Sequence, residues 1–305
     1  TKYLFSNQLE VFKNLAIARM KVGLGAVLLL TGEPGGGKTE FAAAVARGLG
    51  ANLYKYQCAP DRERNLLYDH DLNGIVTRTN AWLKGPAWEA FEASQQGFAV
   101  LLIDEADKTH PNFDAFLLEL LEKLSFRAPK NDENDESYAI VGNPENLLII
   151  LTSNGRRAFR SEVLRRCQRI VVPFPERPRL DNIIHGIAQS VGGEIPQGLL
   201  ELVIRIGQKI REDNAENAPS PKEMALCCID LLILSGNGIY DPNIWREVAT
   251  SYLVKDGGVM AIDRAVKYKW ARALLTEVHR PRQETTPTFD KKYGAPKKKT
   301  PPKRS

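Results

Sequence analysis

The sequence predicts an α/β fold, a mostly parallel sheet with helices on both faces, followed by a smaller all-helical domain. Up to about residue 175, short apolar runs of strand length alternate with segments of helical periodicity, and this alternation is typical of parallel sheets. From Pro178 onward only helical patterns occur. The change near residues 173–178 predicts two domains, 1–175 and 176–280. We expect a disordered tail over 281–305, because this basic stretch is rich in Pro and Lys and cannot bury a core.

The elements of the first domain follow from the spacing of apolar residues. Apolar positions recur at helical spacing in the predicted helices, whereas the strands are short apolar or alternating runs. In chain order we expect a helix over 5–22, strands over 27–30 and 52–58, a helix over 84–96 and a strand over 98–105. These are followed by a helix over 111–126, a β-hairpin over 127–146 and strands over 147–151 and 169–173. A further helix, over 39–49, follows the first strand.

Five helices are expected in the second domain, because its apolar residues keep the helical period and Gly or Pro residues separate the segments. They cover 180–191, 196–211, 221–234, 242–254 and 259–279.

A glycine-rich loop lies between the first strand and the helix that follows it. Its spacing is G-x-x-x-x-G-K-[ST], and its residues are Gly32, Glu33, Pro34, Gly35, Gly36, Gly37, Lys38 and Thr39. Glycines let backbone N–H groups approach phosphate oxygens, and a helix N-terminus adds unpaired N–H groups and partial positive charge. Lys38 would reach the β- and γ-phosphates, and the Thr39 hydroxyl would ligate Mg²⁺. The motif therefore predicts a nucleoside triphosphate site.

Polar side chains end two later strands. Asp104 and Glu105 follow a wholly apolar run, and Asn154 follows the next buried strand. Ligands of parallel α/β sheets bind at the carboxyl ends of the strands, so Asp104 is a candidate ligand of Mg²⁺ and Glu105 a candidate base for water. Asn154 would orient that water or the γ-phosphate. Acidic strand ends also occur for solubility alone, and a strand-end Asn is also a common turn former.

Two adjacent arginines, Arg165 and Arg166, precede the last predicted strand. Exposed arginines are common on protein surfaces. The functional alternative is an arginine finger, a permanently charged guanidinium that reaches the γ-phosphate held by a neighbouring subunit.

Composition and charge narrow the class of protein. No apolar run approaches the 18 residues of a membrane span, and we expect no secretory signal. The four cysteines show no C-x-x-C spacing, so we expect reduced thiols in a cytoplasmic protein without a cysteine metal site. The net charge is +5, but 281–305 holds eight basic and two acidic residues, which leaves 1–280 close to neutral.

Taken together, these motifs resemble those of AAA+ ATPases. Residues 32–39 resemble the Walker A motif, 101–105 Walker B, 152–154 sensor 1 and 164–167 the arginine-finger region. The segments 57–58, 66–69, 103–108 and 113–119 resemble the MoxR-type branch, and within it the subgroup associated with maturation of carbon monoxide dehydrogenase. The similarity covers about residues 5–235.

The resemblance implies a homo-oligomeric ring, usually hexameric, that binds ATP and Mg²⁺ between subunits and remodels a protein client, with a von Willebrand A-type partner protein. By motif position it implies that Arg166, or else Arg165, is the finger. Lys222 falls where the family places the sensor 2 arginine, and an exposed lysine with no such role is the alternative. The resemblance also implies inserts over 61–79 and 127–146 that contact partners or substrate, although the acidic run 131–136 is equally consistent with a solvated loop.

Two other functions remain open from the sequence. Related folds act as motors or loaders on nucleic acid, and the lysine-rich tail could bind phosphates, although 1–280 shows no helix-turn-helix or basic–aromatic stripe. A nucleotide-dependent scaffold is the other alternative, against which the presence of both Glu105 and Asn154 favours turnover. The resemblance favours ATP over GTP. An Asn-Lys-x-Asp motif, which guanine selectivity would need, does not occur in the sequence.

Overall fold

The chain divides into two compact units. The computed structural model describes residues 7–71, 82–130, 138–213, 218–236 and 242–255. One unit is Lys2–Glu176 and the other is mainly Arg177–Ser305. The expected helix over 259–279, the tail over 281–305 and the acidic run over 131–136 lie outside the described residues.

The described strands all belong to the first unit. In chain order they are β1 (Ala26–Thr31), β2 (Asn52–Gln57), β3 (Tyr68–His70), β4 (Trp82–Lys84), β5 (Ala99–Asp104), β6 (Ser125–Arg127), β7 (Ala139–Val141), β8 (Leu147–Ser153) and β9 (Gln168–Val171). Five of them form one sheet in the order β2-β5-β8-β1-β9, and every neighbouring pair is parallel. The predicted parallel sheet is confirmed.

The described helices of this unit are α1 (Asn7–Lys21), α2 (Lys38–Leu49), α3 (Pro86–Ser94), α4 (Phe113–Lys123) and α5 (Ser161–Arg166). Side chains of α1 and α2 pack on one face of the sheet, and side chains of α3 and α4 pack on the other. The two central strands β5 and β8 are buried along their whole length. Burial on both faces explains why their sequences are continuous apolar runs rather than alternating ones.

One predicted boundary is wrong. The helix expected over 111–126 begins at Phe113 and ends at Lys123, because Leu124 adopts a left-handed conformation with φ of 45°. The next three residues form β6, which pairs antiparallel with β7. Periodicity did not reveal this end, because Leu124 and Phe126 continue the apolar pattern of the helix.

The α/β unit also contains two short antiparallel strand pairs, here called hairpins. One pairs β3 with β4, and the other pairs β6 with β7. The Trp82 indole N–H donates to the Lys130 carbonyl at 3.0 Å, so the two hairpins are joined by a side chain–backbone hydrogen bond. Of the first hairpin, β3 lies within the insert that the sequence placed over 61–79, whereas β4 lies beyond the end of that range.

The second unit is helical throughout its described part. Its helices are α6 (Arg177–Ser190), α7 (Gln197–Asp213), α8 (Pro221–Gly236) and α9 (Pro242–Leu253). Buried apolar side chains from all four helices form its core, among them Ile184, Val203, Cys228 and Leu253. This agrees with the all-helical pattern of the sequence after Pro178. None of the helices in the described ranges combines the length and apolar character needed to cross a bilayer.

The end of β1 approaches the end of β9 so closely that only glycine fits. The Val172 N–H donates to the Thr31 carbonyl at 2.7 Å, and the next residue, Gly32, has a φ of +147°. A Cβ atom on Gly32 would lie 2.2 Å from the Val172 carbonyl oxygen. This contact fixes where the glycine-rich loop leaves the sheet.

We therefore expect Gly32→Ala to lower the free energy of unfolding by about 2–3 kcal/mol, since it adds a steric clash and a disfavoured backbone conformation. The matched control is Gly48→Ala in α2, where an added Cβ meets nothing within 4 Å. That change should raise stability by about 0.5–1 kcal/mol through helix propensity. Urea unfolding without nucleotide measures both, and an equal effect of the two substitutions would contradict this account of the β1–β9 junction.

Candidate functional site

The carboxyl ends of β2, β5, β8 and β1 bring the predicted site residues to one edge of the sheet. Register places Gln57 opposite Asp104 and Leu30 opposite Thr152. The glycine-rich loop follows β1, the Asp104–Glu105 pair ends β5, and Asn154 follows β8. Parallel pairing of the strands therefore brings residues that are far apart in sequence to the same end of the sheet.

The glycine-rich loop leads directly into α2. Gly37 is the N-cap residue with φ of 89°, and no side chain caps the helix, so its first N–H groups are not used by a capping residue. Lys38, the first residue of α2, is buried, and its ammonium donates to the carbonyls of Gly32 at 2.7 Å and Glu33 at 2.8 Å. The loop thus wraps around its own lysine.

Burial lowers the pKa of the Lys38 ammonium below its ordinary value. The nearby carboxylates act in the opposite direction, with Asp107 first and Asp104 second. An anion that displaced the two loop carbonyls would therefore contact the Lys38 ammonium, which already has the carboxylates of Asp107 and Asp104 nearby.

Asp104 is held by three side chains. It is only 4% exposed. The Thr39 hydroxyl lies 3.0 and 3.1 Å from its two carboxylate oxygens, and the Thr152 hydroxyl donates to Oδ1 at 2.7 Å. The Lys55 ammonium lies 2.8 Å from Oδ2. The structure therefore brings together Thr39 and Asp104, the two predicted metal ligands.

Glu105 has a left-handed backbone, with φ of 55° and ψ of 47°. This conformation is unfavourable for a residue with a side chain, and such residues concentrate at functional sites. Its N–H donates to the Thr152 hydroxyl at 2.8 Å, so one hydroxyl group contacts both acidic residues. The turn directs the Glu105 carboxylate towards β8 and β2.

Three side chains contact the Glu105 carboxylate. The Asn154 amide donates to Oε1 at 3.1 Å. The Gln57 amide donates to Oε2 at 2.6 Å, and the Lys108 ammonium lies 2.5 Å from the same oxygen. Glu105 and Asn154, both predicted from sequence, are thus direct neighbours, and the carboxylate remains partly exposed.

Asp107 ties the segment after β5 to the segment after β8. Its Oδ2 accepts the N–H groups of Asn154 at 3.0 Å and Arg156 at 2.9 Å. Its Oδ1 is buried and has no hydrogen-bond partner among the described residues. A buried carboxylate oxygen of this kind adds negative charge beside Lys38.

Arg165 and Arg166 do not contact these groups in the part of the chain that the structure describes. Arg165 and Arg166 are exposed on α5, and the Arg166 guanidinium donates to Glu122 of α4 at 2.9 Å. Lys222 is exposed in the first turn of α8, in the helical unit. The roles of these three residues stay predictions.

Sequence reasoning missed several residues that build the site, namely Lys55, Gln57, Asp107, Lys108 and Thr152. For Lys55 and Gln57 a signal was available, because the two residues are two positions apart near the carboxyl end of a predicted strand. Their side chains are therefore expected on the same face of the sheet, close to the end where the site lies. For Thr152 the signal was weaker, since a hydroxyl in a buried strand usually bonds to nearby backbone.

We expect Thr152→Val to lower the free energy of unfolding by about 2–3 kcal/mol, because it removes the acceptor of the Glu105 N–H and a donor to the buried Asp104 carboxylate. Thr31→Val on the neighbouring strand is the matched control. The Thr31 hydroxyl makes only a 3.4 Å contact with the Ile170 carbonyl, near the limit of a hydrogen bond, and its loss should change stability by less than about 0.5 kcal/mol. Urea unfolding of both variants tests this, and equal losses would contradict the bridging role of Thr152.

Comparison with known proteins agrees with this arrangement. Residues 27–169, just under half of the chain, match the family model of the AAA domain, dynein-related subfamily. The chain is also similar to Lon proteases. It is 30% identical over 119 residues to a mitochondrial Lon protease homolog of Yarrowia lipolytica, covering 37% of this chain and 10% of that protein.

Bacterial Lon proteases give similar results. The identity is 28% over 148 residues with Borrelia duttonii, covering 47% of this chain and 17% of the relative. It is 27% over 175 residues with Salinispora arenicola, covering 56% of this chain and 21% of the relative. The chain thus spans about a fifth or less of the length of these relatives. The parallel sheet and the glycine-rich loop, together with the family match over residues 27–169, show an α/β P-loop fold of the kind found in AAA+ proteins.

Proposed function

We propose that this chain is the ATP-hydrolysing subunit of a MoxR-type AAA+ ring, hexameric in the usual case, that remodels or assembles a protein client in the cytoplasm with a von Willebrand A-type partner protein. The observation that supports turnover is the meeting of Lys38, Thr39, Asp104, Glu105 and Asn154 at one sheet edge. The MoxR-type assignment, the client and the partner rest on the sequence motifs. Proteolysis is not part of the proposal, since the chain matches only a small share of the Lon proteases.

The glycine-rich loop would hold the triphosphate of ATP. For this, Lys38 exchanges its bonds to the Gly32 and Glu33 carbonyls for bonds to phosphate oxygens. The N–H groups at the start of α2, which no side chain caps, would add donors and partial positive charge. Because Gly36 is buried and an added Cβ would lie 3.3 Å from two backbone carbonyl oxygens, the loop has no space for a larger residue there.

Thr39 and Asp104 fit a Mg²⁺ ion chemically, because a hydroxyl and a carboxylate are hard oxygen ligands. When bound, Mg²⁺ neutralises charge on the β- and γ-phosphates. In the structure the Thr39 hydroxyl and the Lys55 ammonium occupy the Asp104 oxygens. These two contacts therefore have to rearrange when the metal binds.

Glu105 is suited to polarise the attacking water. Its carboxylate is partly exposed, and Asn154 contacts Oε1 while Gln57 and Lys108 contact Oε2. Among the described residues Oε1 has one donor, the Asn154 amide, so a water molecule could be held on this side between Glu105 and Asn154. Proton transfer to such a carboxylate contributes typically 10²–10⁴-fold to a rate.

The arginine would come from a neighbouring copy. Arg165 and Arg166 are exposed on α5, so they are accessible to another subunit. An arginine finger typically contributes 10³–10⁵-fold to kcat. Lys222 would act as sensor 2, and it keeps the positive charge of the usual arginine but loses its two-pronged geometry.

We expect Glu105→Gln to lower kcat for ATP hydrolysis by on the order of 10²–10⁴-fold, because it removes the base and retains the shape. Affinity for ATP should stay within a few-fold, since the phosphate loop is unchanged. The control is Glu119→Gln on α4, an exposed glutamate whose partner is Lys123. The assay measures phosphate release and, separately, binding of a fluorescent ATP analogue.

A Glu105→Gln protein that hydrolyses ATP at the normal rate would contradict the catalytic assignment. If the assignment holds, the same variant should retain its protein client when it is pulled down in the presence of ATP. Identifying what stays attached would test the client and the von Willebrand A-type partner.

A further inference from the structure

We propose that the buried ion pair of Asp114 and Arg157 positions α5, and thereby Arg165 and Arg166, for use by a neighbouring subunit. This inference rests on the proposed function, in which those arginines complete the site of another copy. Asp114 and Arg157 contact neither the phosphate loop nor the Asp104–Glu105 pair among the described contacts. They are positioning residues, because they act through α5.

Arg157 is held on three sides. Its Nη2 donates to Asp114 Oδ1 at 2.7 Å and to the Thr109 hydroxyl at 3.0 Å. Its Nε donates to the Thr109 carbonyl at 3.0 Å, and its guanidinium carbon lies 4.8 Å from the centre of the Phe159 ring. The side chain is 16% exposed and that of Asp114 is 1% exposed. An arginine with this many fixed donors is part of the framework rather than a solvated surface charge.

The same carboxylate holds the beginning of α5. Asp114 Oδ2 accepts the N–H of Arg160 at 2.7 Å, and Arg160 is the N-cap residue of α5. Phe159 and Val163 on either side of this point are buried in the apolar core. One buried carboxylate thus fixes both Arg157 and the entry to the helix that carries Arg165 and Arg166.

The loop before α5 is also fixed to the strand ends that carry Glu105 and Asn154. Asp107, two residues after Glu105, accepts the N–H groups of Asn154 and Arg156. Asp107 and Asp114 therefore pin the segment from Asn154 to Arg160 at both ends, and both carboxylates are less than 5% exposed. The position of α5 is set relative to the strand ends that bear Glu105 and Asn154.

The other contact between α4 and α5 is of a different kind. Arg166 pairs with Glu122, and the two side chains are 45% and 54% exposed. Exposed pairs contribute little, whereas removing one partner of a buried pair leaves an uncompensated charge. Arg166 is therefore free to leave Glu122 for a phosphate, whereas α5 stays anchored through Asp114. Glu122→Gln is the matched control, since it changes a carboxylate of the same helix.

The test separates the two roles of a subunit by mixing variants. The acceptor carries Arg165→Ala and Arg166→Ala, so it keeps the phosphate loop but offers no arginine. The donor carries Lys38→Ala, so it offers arginine but cannot hold the triphosphate. Each protein alone should be inactive, and the mixture should recover ATP hydrolysis at the sites where a donor adjoins an acceptor.

Asp114→Asn is then added to one partner at a time. In the donor it should lower the recovered activity by on the order of 10²-fold, because displacing a catalytic group by about 1 Å has an effect of that size on the rate. In the acceptor it should leave the recovered activity and the binding of a fluorescent ATP analogue within about twofold. Such a change is well below the tenfold change that about 1.4 kcal/mol represents. Glu122→Gln in the donor should likewise leave the recovered activity within about twofold, as expected for an exposed pair.

Equal losses in donor and acceptor would overturn the proposal, because they would show general support of the fold. No loss in the donor would overturn it too. If Asp114→Asn does not fold, Thr109→Val, which removes one acceptor of Arg157, is tested for the same donor-only loss, and its absence would equally overturn the proposal. If the donor and the acceptor recover no activity even without Asp114→Asn, the site shared between subunits in the proposed function is wrong. The positioning role is then wrong as well.

Discussion

The hydroxyl group of Thr152 is the contact on which the geometry of the site depends. It donates to Asp104 and accepts the N–H of Glu105, so it fixes the carboxylate of one acidic residue and the backbone of the next. The parallel register of β5 and β8 brings Thr152 to this point. Without that bond, the N–H at the left-handed turn of Glu105 would lose its acceptor, in addition to the conformational cost of the turn. The sheet thus holds the acidic pair in an arrangement that a free strand end would not adopt.

Charge at this edge is balanced locally rather than by solvent. Lys38 is surrounded by the carboxylates of Asp107, Asp104 and Glu105, Lys55 pairs with Asp104 and Lys108 pairs with Glu105. The last two pairs are partly exposed, so each contributes little to stability and can exchange partners. Lys38 is instead desolvated and bonded to its own loop. Internal contacts therefore hold the glycine-rich loop and the acidic residues, and the proposed ligands would have to replace some of these contacts.

Much of the α/β unit was predictable, because parallel strands and amphipathic helices have distinct periods and the glycine-rich loop has a fixed spacing. The expected edge of the sheet follows from that pattern, and so does the meeting of Asp104 with Thr39 and of Glu105 with Asn154. The partners of these residues were not predictable in the same way. Arg156 and Arg157 are both arginines, yet Arg156 is exposed, whereas the side chain of Arg157 is only 16% exposed and pairs with Asp114, 43 residues earlier. Pairing over such a distance follows from how α4 and the loop before α5 pack, which no local pattern encodes.

The central claim is that one copy of the chain holds the triphosphate and another supplies the arginine that completes the site. The most direct measurement is ATP turnover per subunit over a dilution series, with the molar mass followed by light scattering under saturating Mg·ATP. The account predicts that turnover per subunit rises as subunits associate and falls towards zero for the monomer. Turnover that stays constant down to monomer would contradict it.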